Sequence, residues 1–226
     1  MYVQVKCSIL EYRMKTKLIL LTLSISALSL GATAQPKSKA VAVPTKNLYA
    51  IRSSDTSDLL MNEHRFWGLI MEARAGTKNN YKAQIMNLKR LLFNLEPQEI
   101  EQFDNRFMAM MDVAYDNRLW AAASVINGGC SEDCFDFFRQ YLISQGKERF
   151  YATLKDPESC STWIKSETEE DWEGLLYVAA QMYRMKTGKE IPASYQPVFA
   201  LKGEPFNDDS ALKQYPKLAK KFITKN

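Results

Sequence analysis

Histidine occurs once in this 226-residue chain, at His64, and that scarcity excludes much chemistry. Imidazole-based zinc sites and the Ser-His-Asp and Cys-His nucleophile systems all need a histidine held by a partner. No partner motif accompanies His64, which reads as a polar position in the first turn of a helix. Cysteine is also sparse, with four in all. Cys130 and Cys134 form C-x3-C, one residue longer than the spacing of thiol oxidoreductases. One long apolar run exists, Leu18–Leu30, and it is shorter than the roughly 20 residues that a membrane span requires. A strong charge of one sign is missing as well, once the N-terminus is considered separately.

That N-terminus reads as a leader. Lys15 and Lys17 precede LILLTLSISALSL, which ends at Gly31-Ala32-Thr33-Ala34. A basic region, a short apolar region and an A-x-A ending are the parts of a secretory signal peptide, expected over residues 1–34. Met14 places the basic region directly before the apolar one, so residues 1–13 read as a start-site extension that also carries Cys7. The expected location is the periplasm or the exterior. The whole chain has 30 basic and 26 acidic residues; without Lys6, Arg13, Lys15, Lys17 and Glu11 it keeps 26 and 25, a net of +1. Nothing in that balance points to nucleic acid or to a membrane beyond the signal peptide. Export would place Cys130, Cys134 and Cys160 where disulfides persist. An odd number leaves one thiol over, and spacing does not decide which two pair.

Residues 35–58, with Pro36, Pro44, scattered lysines and SSDTSD at 53–58, lack the apolar content to order themselves and read as a tether. Residues 59–226 read as a single all-α domain of about seven helices. Asn62 caps a first helix whose Phe66, Leu69, Ile70 and Ala73 share a face. Tyr81, Ile85, Leu88, Leu92 and Leu95 mark a second, opposite a basic face of Lys82, Lys89 and Arg90. Pro97 opens a third, carrying Ile100, Phe103, Phe107 and Met110 or Met111. Leu119–Ile126 is apolar nearly all round and is expected to be buried. Gly128 and Gly129 stop it, and Ser131 caps a further helix with Glu132 and Asp133 in its first turn and Phe135, Phe138 and Leu142 facing inward. Lys147–Leu154 continues to Asp156-Pro157. Residues 156–170 read as a loop, 169–186 as a helix with Trp172, Leu175 or Leu176, Ala179 and Tyr183 on one face, and Ile191–Pro205 as extended chain. The last helix spans about 208–222, with a bend at Pro216.

The residues that stand out chemically gather at the corner from Gly128 to Asp136. Gly128, Gly129 and Ser131 are placed to offer backbone N–H groups at a helix start. A thiolate at Cys134 would be favoured by the same helix end, against the plainer readings of a disulfide or a buried small hydrophobe. Glu132, Asp133 and Asp136 are oxygen donors without the spacing of a calcium loop, and Asp136 with Arg139 reads as a helix-face pair, so no metal and no cofactor is expected. Trp67 and Phe137 lie off the inward stripes and are candidates for lining a groove.

These motifs carry a resemblance. MNEHRFWGLIMEAR at 61–74, LWAAASVINGGCSEDCFDFFRQYLISQGKERF at 119–150, LKDPES at 154–159, LYVAAQMYRMKTGKEIP at 176–192 and GEPFNDDSALKQYPKLAKKF at 203–222 together resemble the bacterial family called domain of unknown function 4240. The chain departs from that pattern at Cys134, where glycine is expected, and in its leader. The resemblance implies fold and domain extent over about residues 61–222, and supplies no reaction, cofactor or catalytic residue. The expectation is therefore an exported helical domain that binds a protein or small-molecule partner at the Gly128–Asp136 corner. The competing expectation is an enzyme using a cysteine or the carboxylates of that corner.

Overall fold

Among the residues described by the computed structural model, 58–165 and 174–223, the helical periods become nine α-helices and two 3-10 helices, with no strand. All of these residues belong to the second of the two units into which the chain divides, Leu48–Asn226. The expected leader, and the tether apart from its last residue, lie outside the described residues. The helices are α1 (Glu63–Arg74), α2 (Tyr81–Phe93), α3 (Pro97–Val113), α4 (Asn117–Asn127), α5 (Glu132–Ser144), α6 (Lys147–Lys155), α7 (Val178–Thr187), α8 (Asp208–Gln214) and α9 (Pro216–Phe222).

Local chemistry sets the helix ends. Asn62 accepts from the backbone N–H of His64 and Arg65 at 3.0 and 3.3 Å, which satisfies donors that have no partner inside α1. Glu96 and Glu99 form a reciprocal capping box at α3, with Pro97 in its first turn. Asp116 caps α4, which therefore starts two residues before the expected Leu119. Gly128 ends that helix in the left-handed region, φ 68°, and the N–H of Gly129 returns to Ser124 O at 2.8 Å.

Three boundaries differ from the sequence reading. The stretch expected as loop after Asp156 contains a 3-10 helix, Pro157–Thr162, capped by the Asp156 side chain. The helix expected from 169 begins at Val178 after the 3-10 turn Leu175–Tyr177; Trp172 lies outside the described residues. The last helix is broken, not merely bent. Tyr215 leaves the helical region (φ −123°, ψ 67°) because the proline ring that follows disfavours a helical residue before it, and this break adds one helix to the count.

Helix α5 lies between two groups of elements and touches both. On one side, α1 packs on α2, and α7 covers α2 and α3; on the other, α4 packs against α8, α9 and the Pro157–Thr162 turn. The inward stripe of α5 matches this position: Phe135, Phe138 and Leu142 are fully buried, as are Phe66, Ile70, Leu88, Leu92 and Ile100 on its neighbours. Ala121, Ala122 and Ala123 of α4 are also buried, as the apolar run suggested.

Several polar side chains cap carbonyls that the helix ends would leave bare. Asn87 Nδ2 donates to Ala73 O, and Gln84 Nε2 to Ser144 O, both at 2.9 Å. Lys202 Nζ donates to Asp112 O at 2.7 Å. Such bonds tie one helix terminus to the flank of another and fix how the elements are arranged around α5.

Candidate functional site

The corner between α4 and α5 is built by a glycine turn, a capped helix start and a disulfide. Gly128, Gly129, Ser131, Glu132 and Asp133 are exposed. Ser131 Oγ accepts from Cys134 N at 3.2 Å. Cys130 and Cys134 are joined by a disulfide with Cα atoms 5.3 Å apart, bridging the residue before the cap to the first turn of α5. Of the three pairings left open by spacing, this one leaves Cys160 as the free thiol. Cys160 is buried, and burial pushes its pKa up to about 12, far from a reactive thiolate.

On the α5 side of the corner, Asp136 and Arg139 do pair, but not as an exposed helix-face pair. Arg139 is only 4 % exposed. Its Nη2 meets Asp136 Oδ1, its Nη1 donates to Met111 O at 2.8 Å, and its guanidinium lies 4.7 Å from the centre of the Tyr115 ring and 5.0 Å from that of Phe135. Arg139 thus caps the end of α3 from inside an aromatic box. Burial raises the pKa of Asp136, outweighing the opposing pull of Arg139. The period of α5 could not foresee this, because a helix face says nothing about which neighbouring carbonyl a long side chain reaches.

Trp67 belongs elsewhere, which corrects its assignment to a groove. It is 4 % exposed, packed against Phe66, Phe150 and Tyr151, and its indole N–H donates to Glu63 Oε1 at 3.1 Å. Phe137 is half-buried against the core. Among the described residues, no three His, Cys, Asp or Glu side chains come together as a metal site would require. Nor does any described helix have the length and apolar character to cross a membrane.

The concave surface lies on the other side of the corner. An open groove of about 470 Å³ is bounded by Asn117, Trp120, Ser124, Gly129, Cys130 and the segment Pro205–Asp208. A smaller one of about 170 Å³ adjoins it along Ser124, Gly129 and Asp208 and is lined further by Gly128, Ala211, Leu212 and Ile223. The larger groove exists because the extended C-terminal segment is strapped to the start of α4. Asn117 N donates to Lys202 O at 2.8 Å, Lys202 N to Tyr115 O at 3.1 Å, and Asn117 Nδ2 to Gly203 O at 3.1 Å. The ring of Trp120 stacks on Phe135 at 4.9 Å and stands edge-on to Phe206 at 6.4 Å. Its indole N–H donates to Cys130 O at 2.9 Å, which locks the ring against the corner. Gly129 and Cys130 join the groove, whereas Glu132, Asp133 and Asp136 line neither cavity.

Sequence reasoning therefore located the corner but not its partner wall. Asn117, Trp120, Ser124 and Pro205–Asp208 were not singled out. The signal available for them was the run EPFND, in which a proline and an aromatic sit directly before the helix cap Asn207.

Comparison with known proteins adds a family. A family model described as protein of unknown function (DUF4240) matches residues 61–185, which include the corner and α4 but stop before Pro205–Asp208. No curated protein and no solved structure matches.

Proposed function

The chain belongs to the DUF4240 family of proteins of unknown function, and from that premise we propose that it is an exported binding domain that holds a small organic ligand in the groove beside the glycine corner. One observation carries this reading. A groove of about 470 Å³ has an aromatic wall, Trp120 and Phe206, and a polar rim of Asn117, Asn207 and Asp208. The groove is shallow and open, which suits a small guest laid against the aromatic wall and oriented by a few polar groups. Asn117 Nδ2 is spent on Gly203 O and Asn207 Oδ1 on Ser210 N, which leaves Asn117 Oδ1, Asn207 Nδ2 and the Asp208 carboxylate to orient a guest. Asp208 is the single acidic or basic residue of the lining, whereas proton transfer in both directions usually employs a pair of groups with separated pKa values. The enzyme alternative also loses its thiol: Cys134 is held by Cys130 and is not a nucleophile while the disulfide stands.

Two features support export. They are the leader pattern of residues 1–34 and a disulfide, a bond that persists in oxidising compartments. N-terminal sequencing of the protein from a periplasmic or culture fraction should begin at Gln35; intact leader on cytoplasmic protein would count against export.

The binding reading is tested by a small-molecule screen using ligand-observed NMR and thermal shift. A hit should lose at least about tenfold in affinity with Trp120→Ala, the loss of one buried aromatic contact, and should retain it with the distant Trp163→Ala. Hits that ignore Trp120→Ala would overturn the groove. Turnover of a hydrolase or thiol-oxidoreductase substrate that Cys134→Ser abolishes would restore the enzyme alternative.

A further inference from the structure

The end of α1 and the first turn of α6 bring two arginines onto one neutral acceptor. Gln145, which follows α5, is buried, and its Oε1 accepts from Arg74 Nη2 at 3.1 Å and from Arg149 Nη1 at 2.9 Å. The direction of that amide is set from behind. Gln145 Nε2 donates to Ser144 Oγ at 3.1 Å, and Ser144 Oγ donates onward to Tyr141 O at 2.6 Å, so the oxygen must face the arginines. Arg74 is held again by Asn79 Oδ1 at 2.7 Å. Arg149 lies over the Trp163 ring at 5.0 Å from its centre.

Among the described residues, neither guanidinium has a carboxylate partner; their side-chain acceptors, Gln145 for both and Asn79 for Arg74, are neutral amides. The two bonds to one oxygen keep the bonded Nη atoms within about 6 Å of each other, a distance at which like charges repel. Burial, and then the nearby Arg149, push the pKa of Arg74 down. Two cations are thus anchored side by side, with no acid between them among the described residues. Both side chains are half-buried, and among the described residues Arg74 Nε and Nη1 and Arg149 Nε and Nη2 have no acceptor, so planar forks remain free to donate.

We infer that Arg74 and Arg149, spaced by Gln145, form a binding site for an oxyanion group, a carboxylate or a phosphate, of a small ligand. None of these residues lines the groove at Trp120, so the site stands or falls separately from it. A bound oxyanion would replace the repulsion with charge-assisted hydrogen bonds, and the Asn79 and Gln145 bonds hold the forks in place before it arrives.

The test uses the full chain as purified from an expressing host. Inorganic phosphate and benzoate are titrated separately at an ionic strength held constant with sodium chloride. The arginine Nε–Hε signals are followed by NMR and the thermal midpoint by calorimetry. The Arg74 and Arg149 signals should shift to saturation, and the midpoint should rise, with phosphate, benzoate or both, which also tells the two sources apart. Arg149→Gln should abolish the response, and Arg74→Lys, which keeps the charge but loses the fork, should weaken it at least about tenfold. Gln145→Glu supplies a built-in carboxylate and should raise the midpoint while abolishing the anion response. Trp120→Ala should leave the response intact. Signals that move no more than in the chloride control would overturn the site, as would an Arg149→Gln chain that responds like wild type. A Gln145→Glu chain that is no more stable than wild type and still binds would do the same.

Discussion

Glu63 gathers three donors on a single carboxylate oxygen: the indole N–H of Trp67, the hydroxyl of Tyr151 and the ammonium of Lys147, at 3.1, 3.2 and 3.2 Å. Partial burial pushes its pKa up, but the three contacts together outweigh that and hold it below the ordinary 4.5. A depressed carboxylate contributes stability that is fully present above the unfolded value and is lost as pH falls through the folded one. Glu63→Gln should therefore lower the thermal midpoint at pH 7, and the gap from wild type should close as the pH falls from about 4.5 through the lowered folded value. A gap independent of pH would mean that the charge plays no part. Gly128 is a second residue whose role is local. An added Cβ there would meet nothing within 4 Å, so the cost of substitution is the left-handed backbone alone. Gly128→Ala should cost about 1 kcal/mol, and Gly128→Asn less, in denaturant titrations. Equal costs would contradict the assignment of this position as a conformational cap.

At the scale of an element, α5 is clamped at its start twice over. The Ser131 side chain satisfies Cys134 N, and the Cys130–Cys134 bond ties the same turn to the residue before the cap. The closed loop is short, with a sequence separation of 4, so the loop-entropy account limits its contribution to about 2 kcal/mol. Reduction, or Cys134→Ser, should lower the midpoint by about 4–8 °C for a domain of this size. The loss should fall on the first turn, and amide exchange should quicken at 131–137 ahead of 138–144. Uniform quickening along α5 would mean that the disulfide acts on global stability, not on the corner. Cys134 is buried beside Asn127, whose Nδ2 approaches its sulfur at 3.5 Å.

At the scale of the molecule, the C-terminal segment completes the domain although it lies beyond the family match. Ala211, Tyr215 and Leu218 are buried; Tyr215 OH donates to Arg118 O at 2.9 Å, and Lys221 Nζ to Ser161 O at 2.7 Å. Those contacts cover α4 and the Pro157–Thr162 turn, and the segment also supplies one wall of the groove. A chain stopped at Gly188 should expose the apolar face of α4, sediment as aggregate or unfold at a lower denaturant midpoint, and lose the groove ligand. A soluble monomer of unchanged stability would contradict this.

The sequence alone determined where most of the helices run, the caps at Asn62, Ser131 and Gly128, and which stripes turn inward. Those features depend on contacts a few residues apart: Asn62, Ser131 and Gly128 act on their own turn, and Phe135, Phe138 and Leu142 recur with the helical period. Only the tertiary structure decided which cysteine stays free, that Arg139 is buried under Met111 O, and that Trp67 sits in the core. It also brought Trp120 to Phe206, and Arg74 to Arg149. Each of these depends on which helix flank meets which, and therefore on packing between residues far apart in the chain. Periodicity places a residue on a helix face, but the partner of that face is chosen by the packing of the whole domain.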